Sequence, residues 1–174
     1  NVLRSIHFIT SEEGLNMSYK RITLSTSGIS KMIRKLADDN VKVNLALSLH
    51  AANEELRKKI MPIGKSNTLE EIRDSLKYYF SKTKKKVTYE YVLLRDVNDS
   101  IEDAYQLYKY TKHLSSKVNI IEYNAVEGLE FKKSSFEKTE KFIGYLLKKG
   151  VNVSLRRSRG KDINAACGQL ANKN

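Results

Sequence analysis

Five short runs in which apolar residues alternate with polar or small ones predict five β-strands along the chain. The runs cover residues 21–25, 43–50, 87–94, 118–123 and 151–155. In the second run, one face carries Val43, Leu45, Leu47 and Leu49, and the other carries Asn44, Ala46, Ser48 and His50. Because successive side chains of a strand point to opposite faces of a sheet, this strand is expected to bury one face and keep a polar one.

Longer stretches with apolar residues three or four apart predict helices between these strands. They cover residues 29–36, 54–60, 69–80, 100–114 and a segment from 134 or 135 to 149. Ser100 is the expected N-cap of its helix, Pro62 is expected to end the helix before it, and Gly150 to end the last one. The same spacing begins at Val2, next to the first residue, with no leader in front of it, so we expect the chain to be a piece of a longer protein.

Strands that alternate with helices predict an α/β fold with a parallel sheet, outer helices and right-handed crossovers. Five strands are too few for an eight-stranded barrel, so a smaller partial barrel and an open sheet are the alternatives. Central parallel strands are usually apolar on both faces, but Ser25, Ser48 and Glu90 interrupt three of these runs. This polar face is either solvated or the lining of a ligand site, and the lining is favoured because crossover helices should cover the other face.

Polar residues also follow each predicted strand, at 25–28, 48–50, 95–98, 123–124 and 156–159. Ligands of parallel βα folds bind at the carboxyl ends of the strands, where these residues should meet. Taken singly, each stretch also suits an ordinary turn or cap. Ser27 is either the N-cap of the next helix or part of an anion-binding turn, and His50 alone would suit a structural histidine.

Composition narrows the function classes. The 174 residues include 32 Lys+Arg and 20 Asp+Glu, a net charge of +12, and this surplus favours an RNA or phosphate partner. Its densest parts are residues 82–86 and 156–161. No apolar run reaches the roughly 20 residues of a bilayer span, so we expect a cytoplasmic protein without a membrane partner.

The chain has a single cysteine, Cys167, which excludes an internal disulfide and a cysteine-rich metal site built from this chain. The basic residues before it would favour a thiolate, although a buried structural cysteine is the alternative. Two classes follow from the residues alone. One is an RNA-directed enzyme with a cysteine nucleophile, and the other is a basic α/β RNA-binding module without catalysis.

Six segments, in this order, resemble the C-terminal half of the RlmN-like radical-SAM adenine methyltransferases. They are RITLSTSG (21–28), VNLALSLHA (43–51), MPI (61–63), YEYVLLRDVNDS (89–100), VNIIEYN (118–124) and DINAACGQL (162–170). SLHA, VNDS and AACGQL at these separations are highly specific for that family. The resemblance implies that residues 1–174 are the C-terminal portion of one radical-SAM (β/α)6 partial-barrel domain.

The resemblance implies transfer of a methyl group from S-adenosylmethionine (SAM) to carbon 2 of an adenosine in 23S rRNA and in tRNA. In the family a 4Fe–4S cluster cleaves SAM to a radical, and the cysteine that matches Cys167 becomes an S-methylcysteine intermediate. The residues that match the family's SAM contacts are Ser25, Ser48, Leu49, His50 and Asn124. We expect a monomer.

Parts of the family pattern are missing from this sequence. It lacks the C-x-x-x-C-x-x-C cluster motif, the Gly-Glu-Pro motif for SAM, the second cysteine and the general base. This chain alone is therefore expected to bind no cluster and to be inactive. Glu122 and Ala125 stand where proline is common around the Tyr-Asn pair. The alternative within the same chemistry is the Cfr-like branch, which methylates carbon 8 of the same rRNA adenine.

Overall fold

The computed structural model describes residues 1–126 and 128–156, and Cys167 lies outside them. The helices and strands in chain order are α1 (Val2–Thr10), β1 (Thr23–Thr26), α2 (Ser30–Asp38), β2 (Asn44–Ser48), α3 (Glu54–Ile60), α4 (Leu69–Thr83), β3 (Val87–Leu93), α5 (Ile101–Thr111), β4 (Ser116–Glu122), α6 (Phe136–Lys148) and β5 (Val153–Arg156). Short 3-10 turns cover Tyr19–Arg21 and Pro62–Lys65. Each predicted strand is present, and most bounds lie within two residues of the predicted ones.

The described strands form one parallel five-stranded sheet in the order β1-β2-β3-β4-β5. Every strand is the neighbour of the strand before it in the sequence, so each crossover advances the sheet by one position. The α/β prediction with a parallel sheet is confirmed. The register places Ser48 beside Glu90, Glu90 beside Asn119, and Asn119 beside Ser154, which aligns four polar residues across the sheet.

The core lies between the apolar face of the sheet and the helices. Strand β3 alternates strictly between buried and partly buried residues, and Tyr89 and Tyr91 point into the core. Buried side chains of the helices complete it, among them Ile33, Leu36, Ile72, Leu76, Tyr79, Leu107, Phe142 and Leu146. Burying such an aliphatic or aromatic side chain stabilises a fold by about 1.5–3 kcal/mol, so the packing on this face is a large favourable contribution.

Helix ends agree with the sequence in several places. Ser100 caps α5 by accepting a hydrogen bond from the Asp103 N–H, and Ser135 caps α6. Gly150 follows α6 with φ +74°, a conformation that glycine adopts at little cost. Ser27, in contrast, is not the N-cap of α2.

Helix α2 begins three residues later, at Ser30, because Gly28 at φ +97° and the extended Ile29 turn the chain first. The Ser30 N–H donates to Asn67 Oδ1 at 2.9 Å, so the cap comes from the segment before α4. The Ser27 carbonyl instead accepts from Arg57 Nη2 at 2.7 Å.

Candidate functional site

The polar face of the sheet forms the floor of an open cleft of about 430 Å³. All described strands contribute to its lining, which consists of Thr23, Ser25, Ala46, Ser48, His50, Thr88, Glu90, Asn119, Ile121 and Arg156. The apolar residues of the same strands face the helices, so alternation along each strand separates the cleft from the core. Three of the predicted SAM contacts, Ser25, Ser48 and His50, come together in this cleft.

A hydrogen-bonded chain crosses the floor of the cleft from β5 to β3. Ser154 Oγ donates to Asn119 Oδ1 at 2.8 Å, and Asn119 Nδ2 donates to Glu90 Oε1 at 2.9 Å. The second carboxylate oxygen, Glu90 Oε2, is buried and accepts no hydrogen bond from the described residues. A buried carboxylate oxygen without a donor is costly, so this atom is suited to a ligand that brings an N–H or O–H group.

His50 lies two residues beyond the end of β2 and lines the cleft. Its backbone has φ +56°, which is uncommon for a residue with a side chain. The Val92 N–H donates to His50 Nδ1 at 3.1 Å, so Nδ1 carries no proton and the neutral ring keeps its proton on Nε2. Burial, and secondarily the charge of Arg57, lowers the pKa of His50 to about 4. His50 is therefore neutral at physiological pH and can donate from Nε2.

Leu49, between Ser48 and His50, belongs to the core rather than to the cleft. Its side chain is 0% exposed. Its N–H donates to the Glu90 carbonyl at 3.0 Å, and its carbonyl accepts from the Ala51 N–H at 2.7 Å. The contact of Leu49 with SAM stays a prediction.

Asn124 is not among the described residues that line this cleft. Asn124 is buried two residues after β4, at the carboxyl end of the sheet. Cys167, the predicted methyl carrier, lies outside the described residues. Their roles stay predictions.

The sequence did not identify two further groups near the cleft, Asn98 and the pair Asn119–Ser154, as site residues. Asn98 is 0% exposed although it follows a strand in a polar stretch. Asn119 and Ser154 occupy polar positions of apolar strands, and only the register brings them beside Glu90. The alternation in residues 118–123 and 151–155 was the available signal for that pair.

The described part of the chain offers no obvious place for a metal ion. Within it, no three His, Cys, Asp or Glu side chains are grouped closely enough to hold one. No helix in the same part is long and apolar enough to cross a membrane.

The sequence profile of the Radical SAM superfamily matches residues 3–108, well over half of the chain. This segment contains β1, β2 and β3, which provide Ser25, Ser48, His50 and Glu90. The chain belongs to the radical SAM superfamily.

Within that superfamily, curated relatives and a solved structure resemble nearly the whole chain. Proteins named "Probable dual-specificity RNA methyltransferase RlmN" are 55% identical in Flavobacterium psychrophilum and 51% identical in Christiangramia forsetii, each over 99% of this chain. The chain spans 50% and 49% of their lengths, respectively. The crystal structure of a radical SAM methyltransferase from Sphaerobacter thermophilus is 38% identical, with a TM-score of 0.93 over 97% of this chain and 49% of that one.

A more distant structure shares the fold alone. A domain of pyruvate-formate lyase-activating enzyme from Bacteroides vulgatus is 13% identical, with a TM-score of 0.60 over 77% of this chain and 80% of that chain.

Proposed function

We propose that this chain is part of a radical-SAM RNA methyltransferase that methylates carbon 2 of adenosine in 23S rRNA and tRNA. The observation that carries the proposal is identity above 50% over 99% of the chain to proteins named as dual-specificity RlmN methyltransferases. In this proposal, residues 1–174 are the C-terminal portion of one barrel domain, and the cluster-binding residues belong to the other portion. The net charge of +12 suits a polyanionic substrate.

The residues of the cleft fit SAM as a ligand. SAM is a cation with hydroxyl and amino donors and with carboxylate and ring-nitrogen acceptors. Glu90 Oε2 is a buried acceptor in need of a donor, and His50, whose Nε2 can donate, lines the same cleft. The hydroxyls of Ser25 and Ser48 can donate or accept, which suits the ribose and the amino-acid end of such a ligand.

The same residues do not fit a 4Fe–4S cluster. Such clusters are held by cysteine thiolates, and this sequence has one cysteine. In the complete enzyme, a cluster held by cysteines outside this chain would supply the electron for cleavage of SAM. In this proposal the described residues of this chain bind and orient SAM.

Cys167 is proposed as the methyl carrier on the strength of the AACGQL match. Its thiolate sulfur would form a bond to the SAM methyl carbon while the bond from that carbon to the sulfonium sulfur breaks. S-adenosylhomocysteine is then the leaving group, and the methyl remains on Cys167 as a thioether. Arg156 and its basic neighbours along the sequence would favour the thiolate form that this step needs.

A chimera tests this proposal directly. It joins this chain to the part of the Flavobacterium psychrophilum relative that the chain does not cover, with the intact relative as the positive control. After reconstitution of the iron–sulfur cluster in the chimera, nucleoside mass spectrometry of 23S rRNA and tRNA should detect 2-methyladenosine. Peptide mass spectrometry should find one methyl group on Cys167. Cys167→Ala should abolish RNA methylation.

Each other outcome would replace the proposal with a named alternative. If the product is 8-methyladenosine, the chain belongs to a Cfr-like enzyme. If RNA binds but no methyl is transferred while the intact relative is active, the chain is an RNA-binding module. If Cys167→Ala still methylates RNA, Cys167 is not the carrier.

A further inference from the structure

The turn that presents His50 to the cleft is held by one buried side chain, that of Asn98. Asn98 Nδ2 donates to the His50 carbonyl and to the Val92 carbonyl, each at 2.8 Å. Asn98 Oδ1 accepts from the Leu94 N–H at 2.7 Å. Both amide hydrogens and the amide oxygen are therefore used, so the position requires an amide of this length.

The backbone of Asn98 is anchored in the core as well. Its carbonyl accepts from the buried Tyr91 hydroxyl at 3.0 Å, and Tyr91 packs on Phe142 of α6 with ring centroids 5.5 Å apart. Asn98 is thus fixed to the helix side of the sheet, and it ties the end of β2 to the end of β3.

Val92 connects the Asn98 side chain to the ring of His50. Its N–H donates to His50 Nδ1, and its carbonyl accepts from Asn98 Nδ2. The backbone and the ring of His50 are therefore both tied to the same segment of β3. A left-handed conformation is unfavourable for a residue with a side chain, and it persists where surrounding contacts fix it.

We propose that Asn98 is a positioning residue that holds His50 so that its ring binds SAM as a neutral Nε2–H donor. The identity of the ligand in this inference rests on the proposed function. The geometry of the His50 ring is independent of that proposal. The partner of Nε2–H must be an acceptor, and SAM offers its carboxylate and its adenine ring nitrogens.

The surroundings of His50 keep it neutral. Arg57 of α3 lies on the core side, while Glu90 of β3 and Arg156 of β5 line the same cleft. Burial dominates and lowers the pKa of His50 to about 4, and Arg57 acts in the same direction. Protonation of Nδ1 would also break the bond from the Val92 N–H. Both effects favour the neutral ring with its proton on Nε2.

The central test compares SAM affinity of the chimera with that of its Asn98→Asp variant by isothermal titration calorimetry. Aspartate keeps the acceptor for the Leu94 N–H but turns an oxygen toward the carbonyls of His50 and Val92. Loss of a buried hydrogen bond with a partner left unsatisfied is worth about a tenfold change or more in an equilibrium constant. We expect SAM to bind at least about tenfold more weakly.

A double-mutant cycle separates positioning from general destabilisation. His50→Ala should weaken SAM binding by a similar factor, and Asn98→Asp should add little when His50 is already alanine. Tyr79→Phe is the matched control, because it removes a buried bond to the Val43 carbonyl, 3.1 Å long, on the helix side of the sheet. It should lower stability and leave SAM affinity unchanged. Unchanged affinity in a folded Asn98→Asp variant, or equal losses in both backgrounds, would overturn the proposal.

Nitrogen-15 NMR of the unsubstituted protein tests the state of His50 even if Asn98→Asp does not fold. The spectra are recorded on the chimera, and the signal that disappears in the His50→Ala variant is assigned to His50. We expect an unprotonated Nδ1, a protonated Nε2 and no titration of this ring between pH 5.5 and 8.5. A proton on Nδ1, or a midpoint near the ordinary pKa of 6.5, would refute the neutral-donor role.

The acceptor on SAM is identified with 5′-methylthioadenosine, which lacks the amino-acid carboxylate. If His50→Ala weakens SAM but not this probe, the carboxylate is the partner, and if it weakens both equally, the adenine is. A wild-type chimera that binds SAM but does not methylate RNA would refute the proposed function alone. Failure of the affinity or NMR tests would refute this inference alone.

Discussion

Gly28, between β1 and α2, is expected to tolerate a side chain poorly, because both its backbone conformation and its surroundings exclude a Cβ. Its φ of +97° is unfavourable for any residue with a Cβ. A Cβ placed there would lie 2.8 Å from Ile72 Cδ1, 3.1 Å from Arg57 Nη2 and 3.2 Å from Leu47 Cδ1. The first distance is shorter than real Cβ contacts, and all three neighbours are buried.

The magnitude for Gly28→Ala follows from two separate effects. The backbone conformation costs of order 1–3 kcal/mol for a non-glycine residue. Adding a methyl group to a packed core costs a further 1–3 kcal/mol or so. We therefore expect a loss of about 2–6 kcal/mol in the free energy of unfolding, a large fraction of the roughly 5–15 kcal/mol of a typical domain.

Two other glycines provide matched controls in the same urea-denaturation series followed by circular dichroism. Gly150 has φ +74° but open space around its Cβ position, so Gly150→Ala isolates the backbone cost of about 1–2 kcal/mol. Gly144 lies within α6 with open space, so Gly144→Ala should stabilise by roughly 0.5–1 kcal/mol. If Gly28→Ala costs no more than Gly150→Ala, the packing argument for Ile72 and Arg57 is wrong.

Two further predictions concern charge. RNA binding by the chimera should weaken with salt by roughly 0.9 log units per phosphate contact per log unit of salt, and alanine at Lys84, Lys85 and Lys86 should reduce that slope. An unchanged slope would mean that this cluster does not contact RNA. At the start of α4, the Thr68 N–H and hydroxyl donate hydrogen bonds to the Glu71 carboxylate in a capping box, and these bonds lower the pKa of Glu71. The stabilisation of α4 by this capping box is therefore complete above the ordinary pKa of a glutamate. It is lost as the pH falls through the lowered pKa. Glu71→Gln should make acid unfolding less steep, and an unaltered acid transition would show that the box contributes nothing.

Local patterns in the sequence were sufficient to predict the strands of the sheet and its polar face. The alternation in residues 43–50 placed Ser48 and His50 on one side and Leu47 and Leu49 on the other, and the structure has the same arrangement. Such a pattern is local to each strand, so it can be seen without knowing which strands pair.

Features that depend on distant segments could not be obtained in this way. Ser27 was a reasonable N-cap by local sequence, but Asn67, 37 residues beyond Ser30, makes the cap. Asn98 looked like an ordinary turn residue because its partner His50 is 48 residues away. The position of Asn119 beside Glu90 depends on the register between β3 and β4, which the sequence alone does not give. Cooperation between residues far apart in sequence leaves no periodic signal in a single chain.

The alternation of β3 has a consequence for how this protein tolerates mutation. Tyr89 and Tyr91 support the fold, while Thr88 and Glu90 line the cleft, so single substitutions affect stability or ligand contacts largely separately. The cleft can therefore diversify in specificity while the helix side stays intact. A deletion of one residue within β3 would differ from every substitution, because it would turn the carboxylate into the core and a tyrosine into the cleft at once.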